Sequence, residues 1–159
     1  DALLSLSADD IFLDFGGGSG TDLLRERLVD EDGGLWDALE EIMTLGCASD
    51  GARITLPWYF EQDIGDRDPY GAYVVLGNGI PLYAASSGDE VLRSLDWEMV
   101  DLMGYYETVV DTGIRSEVRL DDGTRAEQRG HRLRALIDYR IGAVSRNGRW
   151  RIVNFIAGD

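Results

Sequence analysis

The stretch IDYRIGAVSRNGRWRIVNFI, residues 137–156, decides which fold class the sequence predicts. Two runs rich in β-branched and aromatic residues, 137–145 and 149–156, flank the tripeptide Arg146-Asn147-Gly148. An Asn-Gly pair between two such runs is the strongest short-range signal for a β-hairpin. Hairpins are typical of antiparallel sheets, whereas the strands of a doubly wound parallel sheet alternate with helices.

The residues before this hairpin continue the same pattern of short strands. Strands are predicted at 73–76, 80–84 and 117–120, and the last of them leads into the turn Asp121-Asp122-Gly123. Short strands at regular spacing, separated by turn residues, favour a small β-barrel.

The N-terminal part has a different pattern. Helices are predicted at about 22–29 and 35–45, where leucine and isoleucine recur at helical spacing, and strands at 11–15 and 53–60. The polar segment 61–69 holds four acidic residues, ends in a proline and marks the best domain boundary.

Composition restricts the classes of function. The chain of 159 residues has a formal net charge of -15 and a pI of about 4.3, which disfavours nucleic acids and anionic membranes as partners. No apolar run approaches the ~20 residues of a membrane span. Cys47 is the only cysteine, so an intramolecular disulfide is impossible, and we expect a small buried hydrophobe. No signal peptide is visible, and a start at Asp1 without methionine indicates processing or trimming.

The C-terminal half of the chain, from Tyr73 to Asp159, carries a family resemblance most strongly. VVLGNGIPLYAASSGDEVLRSLDWEMVDL (74–102) resembles the opening of a bacterial SH3-like domain, and EVRLDDGT (117–124) resembles a hairpin of the same domain. LRALIDYRIGAVSRNGRWRIVNFIAGD (133–159) resembles the ending of exported bacterial proteins in which such a domain follows a short helical segment. The strand after Gly123 departs from the family pattern, because Thr124 to His131 lacks the expected Gly-aromatic-Val.

The resemblance implies a fold, a location and a ligand site. It implies an α+β protein in which residues 1–68, a small helical segment with one or two strands, pack on an SH3-like β-barrel of residues 69–159. It implies export to the periplasm or envelope. In peptide-binding SH3-like domains exposed aromatic residues form the groove, and the candidates here are Tyr73, Tyr83, Tyr105 and Tyr106.

The stretch IFLDFGGGSG, residues 11–20, suggests a competing function. Its spacing of Asp14, Gly16, Gly18 and Gly20 resembles the cofactor loop of S-adenosylmethionine-dependent methyltransferases. That site requires a second parallel strand ending in an acid ~20 residues on, and no such strand is predicted here. We therefore interpret the stretch as a strand, a glycine turn and a helix capped by Ser19 or Thr21, and keep cofactor binding as the alternative.

Other candidate chemistry has structural explanations. His131 is the only histidine, is predicted to lie at the surface, and has no nucleophile elbow to serve. The acidic runs Asp30-Glu31-Asp32 and Asp121-Asp122 lack the spacing of a calcium loop, so no metal site is predicted. Trp97 and Trp150 are expected in the core. The arginines between 115 and 140 are expected to balance the N-terminal acids rather than bind an anionic partner.

The leading hypothesis is a non-enzymatic binding or scaffold module of the bacterial envelope, without a cofactor and with a peptide, cell-wall or protein ligand. One alternative is a methyltransferase-like protein that binds S-adenosylmethionine through Asp14 to Gly20. A second is an acidic module that binds or inhibits a protein partner through its charge.

Overall fold

The computed structural model describes residues 2–30, 34–85, 88–104 and 115–158. It confirms a mixed α+β protein, with most of its regular structure in two sheets and few helices. The chain divides into two compact units. The first unit consists of Asp1–Asp63 and Ile137–Asp159, and the second unit of Ile64–Leu136.

The elements follow the chain in this order. The α-helices are α1 (Ala2–Leu6), α2 (Thr21–Val29) and α3 (Leu35–Thr44), and 3₁₀ turns lie at Trp58–Glu61 and Gly130–Arg132. The strands are β1 (Ser7–Phe12), β2 (Ala48–Ser49), β3 (Arg53–Leu56), β4 (Ala72–Val75), β5 (Ile80–Tyr83), β6 (Val91–Leu95), β7 (Met99–Leu102), β8 (Arg115–Arg119), β9 (Arg125–Arg129), β10 (Leu133–Ala135), β11 (Arg140–Arg146) and β12 (Arg149–Ile156).

The first unit is built on a sheet with the strand order β1-β12-β11-β3-β2, in which only the β1–β12 pair is parallel. Helices α2 and α3 contribute their apolar faces to one core with this sheet. That core consists of Ile11, Leu13, Leu24, Leu35, Ile42, Ile141 and Phe155. The inward face of each element repeats at its own period, 2 along the strands and 3.6 along the helices.

The hairpin predicted from residues 137–156 is confirmed as β11 and β12. Asn147 and Gly148 have φ angles of 54° and 73°, the positive values that a two-residue hairpin turn requires. Its two strands, which the sequence analysis assigned to the second domain, pair in the structure with β1 and β3 of the first unit. The turn residues determine that β11 pairs with β12, but they carry no information on which other strands complete the sheet.

The second unit is an antiparallel sheet with the order β10-β4-β7-β8-β9-β5-β6. Strand β4 is buried at every position, and Leu82, Val100 and Val118 add to the same core. Among the described residues the end strands β6 and β10 do not pair with each other. The structure therefore shows an open sheet here and does not show a closed SH3-like barrel.

Several local predictions were wrong. Trp150 is exposed rather than in the core, and Cys47 is exposed at the end of α3. The cap of α2 is the backbone of Gly20, without a side-chain hydrogen bond from Ser19 or Thr21. The preference of tryptophan for the core does not decide the position of Trp150, because this residue lies beside the hairpin turn, where few neighbours can cover it.

Candidate functional site

The glycine loop between β1 and α2 closes on itself. The Gly17 amide donates to the Asp14 carbonyl (3.3 Å), and the Gly20 amide donates to the Ile11 carbonyl (2.7 Å). The Gly18 amide donates to Asp14 Oδ1 (2.9 Å). These three donors are the groups that a cofactor loop would present to a ligand, and here they hold the turn together.

The Asp14 carboxylate is paired with Arg27 of α2. The Arg27 guanidinium also donates to the Leu13 carbonyl at 3.0 Å. The Gly18 amide and then the Arg27 guanidinium hold the pKa of Asp14 below its usual value. A Cβ atom at Gly18 would overlap this carboxylate and lie 2.7 Å from its Cγ. The glycine at this position thus allows the Asp14–Arg27 pair to lie across the loop.

The tyrosines proposed for a ligand groove have different surroundings. Tyr73 and Tyr83 are both buried in the second unit. The Arg115 guanidinium carbon lies 3.8 Å from the centre of the Tyr83 ring, and that of Arg129 lies 5.8 Å from it. Stacked arginine thus covers Tyr83. Tyr105 and Tyr106 lie outside the described residues, and their role stays a prediction.

Three of the arginines between 115 and 140 pair with acidic residues of the second unit. The pairs are Arg115–Glu127 (3.8 Å), Arg119–Asp101 (2.9 Å) and Arg125–Glu117 (3.5 Å), and Arg67–Asp101 (3.1 Å) extends the same network. The expected internal balance is therefore present, with acids of the same unit instead of the N-terminal acids. His131 is exposed, as predicted.

The first unit contains a cleft of about 370 Å³ on one face of its sheet. Ile11 and Phe155 point into the core, so their neighbours Phe12 and Asn154 point to the opposite face. The cleft is lined there by residues of β1, β3, β11 and β12 together with Phe60 and Glu61 of the 3₁₀ turn. Its volume is within the ~300–1,000 Å³ that small-ligand sites occupy.

Arg140 forms a charged wall of this cleft. Its side chain comes from β11 and is buried, with the whole residue 6% exposed. The guanidinium carbon lies 4.5 Å from the Phe60 ring centre and 6.0 Å from the Phe15 ring centre. Its Nη1 donates weakly to the Ile137 carbonyl at 3.5 Å. The Phe60 ring lies within cation–π distance of this guanidinium, and the Phe15 ring lies at the limit of that distance.

Asn154 supplies a neutral polar group to the cleft. A Cβ atom at Gly142 would lie 3.1 Å from the Asn154 Cγ, so the Asn154 side chain lies directly over this glycine. The strand register shifts between Gly142 and Ala143, and such bulges re-aim side chains. No side-chain hydrogen bond of Asn154 is found within the described ranges. Its amide offers both donors and an acceptor to a ligand.

Thr55 and Glu61 complete the polar lining. The Thr55 hydroxyl donates to the Glu61 carboxylate, which ties the 3₁₀ turn to β3. Arg53, two residues before Thr55 on the same strand face, adds a second guanidinium at the rim. Phe12, Phe60 and Ile156 supply apolar surface. The cleft thus combines two arginines, one amide, a hydroxyl that is hydrogen-bonded to a carboxylate, and an apolar floor.

A wider and shallower depression of about 840 Å³ lies along β1 and the hairpin turn. Two of its charged groups pair with each other, since Arg146 Nη1 lies 2.7 Å from Asp10 Oδ1. This hydrogen bond lowers the pKa of Asp10. The smaller cleft at Arg140 is the better candidate, because it combines an apolar floor with convergent polar groups.

Sequence reasoning missed this cleft, although a signal was present. Arg140 and Gly142 alternate with core residues on β11, and Asn154 and Ile156 do so on β12. Polar or small residues at alternate positions of a central strand indicate that this face of the strand lies outside the packed core. The sequence does not reveal that β12 pairs with β1 and β11 with β3, the pairings that bring these two strands beside Phe12 and Thr55.

No protein-family model, curated protein or solved structure matches the chain. Among the residues that the structure describes, no helix has the length and apolar character needed to cross a bilayer. In the same residues no three His, Cys, Asp or Glu side chains group as metal ligands would.

Proposed function

We propose that the chain is a non-enzymatic binding module and that the Arg140 cleft holds a peptide-like ligand with a free carboxylate. The observation that carries the proposal is that the Asn154 amide and the Arg53 guanidinium line one cleft with an apolar floor, with Arg140 as a further positive group of the same lining. A guanidinium matches a carboxylate in geometry and charge. A side-chain amide matches the donor and acceptor of a peptide bond.

The remaining lining fits the same ligand. Phe12, Phe60 and Ile156 provide apolar contacts for one side chain next to the carboxylate. Arg53 at the rim adds positive charge to a protein that is otherwise strongly acidic. An anionic group is attracted to a locally positive region and repelled by the rest of an acidic surface.

The wider context of the proposal comes from the family resemblance. We propose that the second unit is an SH3-like domain and that the protein acts in the bacterial envelope. The antiparallel strands of the second unit are compatible with such a domain. A peptide or cell-wall ligand with free carboxylates suits both the resemblance and the cleft.

A direct test is isothermal titration with N-acetyl-Ala-Leu-Ala and with the same peptide carrying a C-terminal amide. We expect the free carboxylate to bind at least about tenfold more tightly, since a charge-assisted hydrogen bond exceeds 1.4 kcal/mol. Arg53→Gln and Asn154→Ala should each weaken binding. Arg149→Gln, in the wider depression, is the matched control and should leave binding unchanged.

Equal affinity for the two peptides, or no binding at millimolar peptide, would refute the carboxylate proposal. Sedimentation with isolated peptidoglycan tests the cell-wall version separately, and failure of retention at low salt would remove it.

Cofactor binding by the glycine loop has less support, because Asp14 and the Gly18 amide bond to groups of the same unit. Thermal unfolding with millimolar S-adenosylmethionine distinguishes the two ideas. A ligand at 100 times its Kd adds about 2.7 kcal/mol of stability, so an unchanged melting curve would eliminate the cofactor.

A further inference from the structure

Helices α2 and α3 expose large apolar side chains on their outer side. Val29 is 72% exposed, Trp36 48% and Met43 62%. Trp36 and Met43 are seven residues apart on α3 and therefore lie on one helix face, two turns from each other. The Trp36 indole donates to the Leu28 carbonyl (2.9 Å), which places its ring at the end of α2 beside Val29. We call Val29, Trp36 and Met43 the Trp36 surface.

The core of the first unit does not account for this surface. Leu35 and Ile42 are the buried residues of α3, and Leu24 is that of α2. These residues form the inward side of the two helices and pack against Ile11 and Phe155 of the sheet, and on α3 they lie about 100° around the helix from Trp36 and Met43. The Trp36 surface is thus a second apolar face, and apolar side chains clustered on a surface and rimmed by polar residues mark interaction sites.

Acidic residues surround the Trp36 surface. Asp37 and Glu40 of α3 and Glu26 of α2 are exposed beside it. The first unit, residues 1–63 and 137–159, holds 17 of the 30 acidic residues of the chain and 7 of its 15 arginines. Of these arginines, Arg25 pairs with Asp22 (2.8 Å) and Arg27 pairs with Asp14. The field at this surface is therefore strongly negative.

We propose that the Trp36 surface docks a basic amphipathic helix of another protein. The two-turn spacing of Trp36 and Met43 matches the i, i+3/i+4, i+7 anchors of a helix laid against them. Methionine adapts its shape to different apolar side chains, and tryptophan supplies a large apolar face. The acids around them pair with lysine or arginine on the flanks of the partner helix.

Charge also argues against the other occupants of such a surface. A second copy of this chain would bring its own Asp37 and Glu40 against the same residues, which repel. A nucleic acid or an anionic membrane meets the same repulsion. The proposal concerns the outer side of α2 and α3 and is independent of the Arg140 cleft.

The test uses the whole chain and a fluorescein-labelled 18-residue helix of leucine and lysine in amphipathic order. A scrambled peptide of the same composition has the same charge but no apolar face. We expect fluorescence anisotropy at 0.15 M salt to show at least about tenfold tighter binding of the amphipathic peptide, because salt screens non-specific attraction. Trp36→Ala should remove most of this preference, as truncation of a buried aromatic anchor does.

Matched variants separate the surface from general charge. Glu40→Gln should weaken binding more than Asp66→Asn, which removes one exposed charge from the second unit. Trp150→Ala removes another exposed tryptophan and should leave binding unchanged. Circular dichroism and urea unfolding of each variant establish that it is folded.

Equal binding of the two peptides, or unchanged binding by Trp36→Ala, would overturn the proposal. A concentration-dependent dimer in sedimentation that Trp36→Ala dissociates would also overturn it, and would assign the surface to a second copy.

Discussion

Replacing Gly18 by alanine tests whether the glycine loop is built around the Asp14–Arg27 pair. The new Cβ would lie 2.7 Å from the Asp14 Cγ and 3.0 Å from Arg27 Nη2. Both distances are well below the ~3.5 Å of an ordinary van der Waals contact. The carboxylate cannot turn away freely, because the Gly18 amide and Arg27 both hold it.

We expect Gly18→Ala to destabilise the protein by about 1–3 kcal/mol, the usual cost of overpacking. For a chain of this size a loss of about 2 kcal/mol lowers the melting temperature by about 4–8 °C. The assay is urea unfolding followed by circular dichroism, with Gly18→Ala measured in the wild-type and in the Asp14→Ala background. Without the carboxylate the new methyl group has room, so its cost should fall by at least about 0.5 kcal/mol.

Gly16→Ala is the matched control within the loop. Its Cβ would lie 3.1 Å from Asp14 Oδ1, a milder approach, and its φ is not positive. Alanine also lowers the conformational entropy of the unfolded chain, which stabilises the fold by about 0.4–1 kcal/mol and offsets the cost of this contact. The net change in the free energy of unfolding should therefore be small. An equal cost of Gly18→Ala in both backgrounds, or no cost at all, would refute the role assigned to the Asp14–Arg27 pair.

Four other outcomes are expected. Gly148→Ala should cost about 1–2 kcal/mol in urea unfolding, because its φ of 73° disfavours a side chain. Gly142→Ala should displace the Asn154 amide and weaken carboxylate-peptide binding in calorimetry while changing stability less than Gly18→Ala does. Asp101→Asn removes the negative charge that the partly buried Arg67 shares with the half-exposed Arg119, and its melting curve should show a loss of about 1 kcal/mol. The pKa of Asp14 is lowered in the folded protein, so the ionised carboxylate stabilises the fold above pH ~4. This stabilisation is lost as the pH falls through the folded pKa. The free energy of unfolding of Asp14→Asn should therefore fall less steeply with acid than that of the wild type.

Local patterns in the sequence predicted some elements well. The 3.6-residue repeat of Leu35, Leu39 and Ile42 predicted α3, because an amphipathic face encodes its own period. Asn147 and Gly148 predicted the β11–β12 hairpin because few other residues accept positive φ angles. In each case the information lies within about ten residues.

Long-range pairing was beyond these patterns. The parallel pairing of β1 with β12 joins Ser7 to Ile152, and no local signal specifies it. The cleft depends on this pairing, so Arg140 and Asn154 were not recognised as neighbours of Phe12. In the glycine loop, the sequence could not tell whether the amides of Gly17, Gly18 and Gly20 face a ligand or the loop itself, and the structure shows them bonded to Asp14 and Ile11.

The divided first unit has a consequence for biosynthesis. Residues 64–136 leave the ribosome before β11 and β12, the two strands that join β1 to β3. At about 5–20 residues per second these roughly 70 residues take about 4–14 s to synthesise. During that interval the apolar faces of α2 and α3 lack the sheet that covers them, whereas the second unit has its whole sequence available. We therefore expect a chaperone to bind the N-terminal helices of the nascent chain. These helices are synthesised first but complete their fold last.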